Sequence, residues 1–121
     1  MPTPHDYLEQ ARQNEEFASR ILSLGEPRFF GWAVTALFYA AVHYGRAYLR
    51  AKSPTVITTH PHFHSEFLRT SGDSRLYGLY RRLKDESERA RYDCVPYGAD
   101  DVAALQAKTL EPFRDTLLPL I

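Results

Sequence analysis

Phe38-Tyr39-Ala40-Ala41-Val42-His43-Tyr44-Gly45-Arg46-Ala47-Tyr48-Leu49 is the stretch whose reading decides the fold. Aromatic and small residues recur through it without the strict alternation of a half-buried strand, so it reads as helix. Asp, Glu, Lys and Arg are missing from Phe29 to Gly45. That run is shorter than the roughly 20 apolar residues of a membrane span, and Thr35, His43, Gly31 and Gly45 interrupt it. A helix apolar nearly all round is instead the buried centre of a bundle. His43 and Arg46 stand three residues apart on one face of it. A polar pair on so apolar a helix implies a partner, a site or a buried hydrogen bond.

Working outward, the periodicity stays helical and shows no strand. A first helix is expected from about His5 to Leu24, with Tyr7, Leu8, Ala11, Ala18, Ile21 and Leu22 as its inner stripe. Thr3 or Asp6 is placed to cap its start, and Gly25 followed by Pro27 to stop it. The central helix runs from about Arg28 to Lys52 and breaks at Ser53-Pro54. Residues 53–61 read as a loop, 62–69 as a short helix stopped by Ser71-Gly72. A fourth helix starts near Asp73 or Ser74, with Leu76, Tyr80, Leu83, Ser87, Ala90 and Cys94 turned inward. Val95-Pro96-Tyr97-Gly98 is a turn. A last helix from about Asp100 buries Val102, Leu105, Thr109 and Phe113, and Pro112 is expected to kink or split it. The sum is one all-α domain over residues 1–121, an up-and-down bundle of four to five helices.

The totals narrow the function classes. Fifteen basic and fifteen acidic residues cancel, which argues against a nucleic-acid binder driven by net charge. Cys94 is the only cysteine, so no internal disulfide forms, and a reducing, cytoplasmic setting fits. No secretory leader is read at the start, which His5, Asp6 and Glu9 interrupt. There is no glycine-rich phosphate loop, no Ser-His-Asp signature and no Cys-x-x-Cys pair.

The wording of the second and fourth helices resembles the HEPN superfamily, and within it the small stand-alone proteins paired with minimal nucleotidyltransferases. Their tyrosine-rich helix, Y-Y-A-x-x-H-A-A-R-A-L-L, is similar to residues 38–49. Thr59-His60 stands where the family often opens a short helix, and Arg89-Ala90-Arg91-Tyr92-Asp93 where it has a basic residue and then A-D-Y, with Arg91 in place of that Asp. The resemblance covers roughly residues 5 to 118. It implies a role in a toxin–antitoxin or antiviral defence system, as a homodimer or beside a nucleotidyltransferase-type partner, with no cofactor. Active HEPN ribonucleases carry an Arg followed by four to six residues and a His. No Arg of this chain has a His at that spacing.

Three groups are candidate sites. His43 and Arg46 suit phosphodiester chemistry, the imidazole as acid or base and the guanidinium against phosphate. They equally suit a hydrogen-bonded network to Tyr39, Tyr92 or Asp93. Arg89, Arg91, Tyr92 and Asp93 suit RNA or nucleotide binding, two cations on phosphate and a ring on a base. Against that, i,i+4 pairs from Arg81 to Asp85, Arg82 to Glu86, Lys84 to Glu88 and Asp85 to Arg89 describe a solvated charged face. His60, His62 and His64 offer three imidazoles without a Cys, so no metal is expected, and His60 joins the tentative catalytic group by its matched position. The expectation is a binding module rather than an enzyme. The alternatives are a metal-independent endoribonuclease with a rearranged His/Arg site, and a nucleotide-binding regulator with a pocket beside Arg46 and Tyr92.

Overall fold

The computed structural model describes residues 2–52 and 60–121, with the side chains of His60 and Pro61 excepted. Among these residues the structure is an all-α bundle without strands. Helix α1 spans Pro4–Leu24. Thr3 caps it through a reciprocal box: its hydroxyl accepts the Asp6 N–H at 3.1 Å, and the Asp6 carboxylate accepts the Thr3 N–H at 2.8 Å. Gly25 ends the helix in the left-handed region, φ 71°, where its N–H donates to the Ile21 and Leu22 carbonyls. A 3₁₀ turn, Pro27–Phe29, leads into α2, Phe30–Lys52.

The middle of α2 is buried on most sides, as its composition predicts. Ala33, Ala40 and Ala47, seven apart, are fully buried, as are Ala11 and Ala18 on α1. Small side chains let these two long helices lie close along each other.

Helix α3, His60–Ser71, begins two residues before the expected start. Its Phe63 and Phe67 are fully buried. Gly45 makes room for them: a Cβ at that position would stand 2.5 Å from Phe63 Cζ. The expected loop over residues 53–61 lies outside the described residues except at its end, where the chain is already helical.

Helix α4, Ser74–Tyr92, is capped by the Asp73 carboxylate, which accepts the Leu76 N–H at 3.0 Å. Leu76, Tyr80, Leu83 and Ser87 face inward as expected. Cys94 does not: it is exposed, with φ 55°. The heptad spacing cannot carry past the helix end, and Asp93 already closes α4. The following turn is pinned by the Tyr97 hydroxyl, which donates to the Glu86 carbonyl at 3.0 Å.

Helix α5, Ala99–Leu105, passes through a π turn, Gln106–Leu110, into α6, Glu111–Leu117. The expected break at Pro112 takes this form. A proline ring crowds the carbonyl four residues before it, here that of Lys108, and has no N–H to give. One extra residue in the turn relieves the clash, and the Glu111 N–H reaches back to the Gln106 carbonyl.

Candidate functional site

Between α1 and α4 one face of α2 stays open. Trp32 is 59% exposed at its head, and Tyr39, His43, Arg46 and Arg50 follow along it, all partly exposed. A groove of about 310 Å³ runs beside this face, with Asn14 and Phe17 of α1 on one side and Trp32, Tyr39 and His43 on the other. Trp32 also borders a second groove, of about 430 Å³, that reaches Arg91 and Val95 at the far end of α4. Phe17, Trp32, Tyr92 and Val95 are among the most exposed large apolar side chains in the molecule.

His43 Nδ1–H donates to the Tyr39 carbonyl one turn back, at 2.7 Å. A carbonyl only accepts, so this bond places the proton on Nδ1 and leaves Nε2 as the basic nitrogen. The Asn14 side-chain amide lies 3.4 Å from Nδ1, and the Tyr7 ring 6.3 Å from the imidazole. Burial lowers the His43 pKa from its ordinary value. The Tyr39 bond works against that shift and the charge of Arg46 adds to it. The ring is therefore neutral at pH 7.

Arg46 and Arg50 continue the same face. The Nε of each is buried without a hydrogen-bond partner among the described residues. The network expected to join Arg46 to Tyr39, Tyr92 or Asp93 is not formed there, and His43 bonds the Tyr39 backbone rather than its hydroxyl.

The group Arg89, Arg91, Tyr92 and Asp93 is divided by the helix that carries it. Arg91 turns toward α2. It donates from Nε to the Ser87 carbonyl and from Nη2 to the Ser87 hydroxyl, both at 3.2 Å, and from Nη1 to the Tyr39 hydroxyl at 3.4 Å. Its guanidinium also lies 5.2 Å from the centre of the Tyr92 ring. Arg89 points away, paired with Glu86 at 2.8 Å rather than with Asp85. It borders an outer groove lined by Arg81 and Arg82 as well as by Asp85, Glu86, Glu88 and Asp93, so cations and carboxylates nearly balance there. The expected Lys84–Glu88 pair forms, at 3.0 Å. Arg46 and Tyr92 do not share an end of the face. Arg91 spans from Tyr92 only to Tyr39, and Arg46 lies about 10 Å further along α2.

Among the described residues no three His, Cys, Asp or Glu side chains converge as metal ligands. His64 is instead hydrogen-bonded to the Tyr80 hydroxyl at 2.8 Å. The side chain of His60 lies outside the described residues, as does Thr59. No described helix is long and apolar enough to cross a membrane.

Sequence reasoning passed over Trp32, Phe17 and Arg50. The signal was available in the spacing of Trp32, Tyr39 and Arg46, seven apart on a helix otherwise read only as core. It also passed over a polar cluster on the neighbouring face of α2. The buried Tyr44 hydroxyl donates to Glu15 Oε2, and Arg114 of α6 donates to Glu15 Oε1 at 2.8 Å, tying three helices together. No known family's sequence model, no curated protein and no solved structure matches this chain.

Proposed function

We propose that this chain is a HEPN-like helical binding module of a toxin–antitoxin or antiviral defence system, and that the open face of α2 receives its partner, either a second copy or a nucleotidyltransferase-type protein. The observation that carries the reading is one face of α2 that exposes Trp32 at its start, near Phe17 of α1, and holds the buried Nε–H groups of Arg46 and Arg50, without partners among the described residues, further along. Exposed aromatic rings and partly desolvated arginines on one face are what protein interfaces concentrate.

A ribonuclease remains the second reading, because one observation favours it. The His43 Nε2 is a free base with a lowered pKa, and Arg46 is close enough to act on that pKa. Cleavage of end-labelled mixed RNA in EDTA, by the wild type and by His43→Ala/His60→Ala, separates the two. The module reading expects intact RNA from both proteins. EDTA-resistant cutting that the double variant loses would replace it with the enzyme.

A further inference from the structure

Two grooves meet at Trp32. The larger, of about 430 Å³, lies between the start of α2 and the end of α4, and the smaller, of about 310 Å³, between α1 and α2. The exposed indole borders both, as does buried Thr35. Apolar side chains flank them, Phe17 and Ala36 in the smaller groove, Val95 and Pro96 in the larger. Among the described residues no Asp or Glu lines either groove, whereas Arg28 and Arg91 line the larger one.

Arg91 is a cation held in place. Its three hydrogen bonds go to neutral acceptors: the Ser87 carbonyl, the Ser87 hydroxyl and the Tyr39 hydroxyl. Ser87 is fully buried and gives its own proton to the Lys84 carbonyl at 3.0 Å, so its oxygen is left to accept from the guanidinium. The nearby acids of α4 are taken by other cations, Glu88 by Lys84 at 3.0 Å and Glu86 by Arg89 at 2.8 Å. The charge of Arg91 is thus fixed but not cancelled, and two of the five N–H groups of a guanidinium remain for a ligand. A donor already ordered in this way loses little freedom on binding. Arg28 has Glu26 at 3.7 Å, too far for a hydrogen bond.

A nucleic acid needs a track of cations, and two of them on a chain of zero net charge neutralise few phosphates. A carboxylate accompanied by an apolar side chain matches both the charge and the walls. We infer that the partner reaches this chain with a short acidic–apolar peptide segment, an Asp or Glu carboxylate on Arg91 and a neighbouring apolar side chain against Trp32, a proposal that rests on the reading of this face as a partner site and names the chemistry of what it receives.

Trp32 is the only tryptophan of the chain, so its emission reports on this place alone. A random heptapeptide library displayed on phage and panned on the full chain is expected to return sequences with Asp or Glu next, or next but one, to Leu, Ile or Phe. The strongest that lacks tryptophan, titrated into the protein as a free peptide, is expected to move the emission to shorter wavelength as it covers the indole. Arg91→Gln is expected to weaken binding by roughly tenfold, and so is Asn or Gln in place of the peptide's acid, with little further loss when the two are combined. Arg28→Gln, at a side chain 73% exposed and so without consequence for folding, is expected to weaken it by roughly threefold. Circular dichroism verifies that each variant is folded. An empty selection, peptides selected without an acid, or losses that simply add would overturn the carboxylate contact. Binding that leaves the emission unchanged would overturn its place, and oligouridylate binding more tightly than any selected peptide would put nucleic acid there instead. The module reading would outlive an empty or acid-free selection with a partner of different chemistry, and it falls only to the His43-dependent RNA cleavage described above.

Discussion

Tyr44 and His43 are neighbours on α2, yet the polar groups around them stand in opposite conditions. On the Tyr44 side every charge is answered: the phenol meets Glu15, Glu15 meets Arg114, and Arg114 also meets Asp115 at 2.8 Å. The Glu15 side chain is 14% exposed and that of Arg114 26%, so the cluster is largely out of water. On the His43 side the imidazole answers the Tyr39 carbonyl of its own helix and has the Asn14 amide of α1 at 3.4 Å, and two buried guanidinium nitrogens have no partner among the described residues. A buried polar group left unpaired costs free energy, and each one in a folded chain calls for an explanation. The closed cluster is thus built to hold the fold, and the open one is where the proposed partner site lies.

The largest expected effect falls on the closed cluster. Glu15→Ala strands the Tyr44 hydroxyl and one arm of Arg114, and is expected to cost about 2–4 kcal/mol of unfolding free energy in a denaturant titration. Tyr44→Phe removes one hydrogen bond and leaves the ion pair, so about 1–2 kcal/mol is expected from the same titration. If either substitution were neutral, the cluster would not be the staple claimed for it.

Acid titration sharpens the other side. The folded state holds the His43 pKa below its ordinary 6.5, so the unfolded chain binds this proton first as pH falls. Stability from this group is present above about pH 6.5 and is lost as pH falls through the folded pKa. The groups facing the ring are Arg46 and Tyr39 on its own helix and Asn14 and Tyr7 on α1, none of them an acid that would reverse the sign. His43→Gln is expected to give a shallower fall in melting temperature between about pH 7 and 5 than the wild type. Parallel curves would remove His43 from the account.

Alkali acts on the packed tyrosines. Burial, with Glu86 beside it, pushes the Tyr97 phenol up to about 12, so it stays protonated in the folded chain after the unfolded chain has lost its proton. Stability is thus expected to fall as pH rises above about 10, and Tyr97→Phe to soften that fall by a fraction of a kcal/mol.

The fold was legible because it rests on patterns that local chemistry enforces. Thr3 with Asp6, Gly25, the apolar run of α2 and the inward residues of α4 up to Ser87 each act within a few residues of themselves. Pro112 was legible as a break, though the π turn that absorbs it was not. The heptad spacing on α4 misled at Cys94, since a pattern of residues does not say where the helix carrying it ends. The site was legible in part. His43 and Arg46 drew notice as polar residues in an apolar segment, whereas Trp32 was hidden among residues that composition assigns to the core. Arg89 and Arg91 looked like a pair in the sequence, but two residues are about 200° of helix, and they face different surfaces. The Glu15–Arg114 pair spans 99 residues and has no local signal at all.

The central claim is that the closed cluster serves folding and the open face serves binding, and Arg46→Met tests it most directly. Methionine keeps an apolar stem in the same space and removes the Nε–H that is buried without a partner among the described residues. The measurement is the unfolding free energy of Arg46→Met in dilute solution, set beside the wild type. The account predicts a value equal to the wild type or above it by up to about 1 kcal/mol. A loss of about 2 kcal/mol or more, on the scale expected for Glu15→Ala, would make Arg46 a structural group and contradict the division between the two sides of α2.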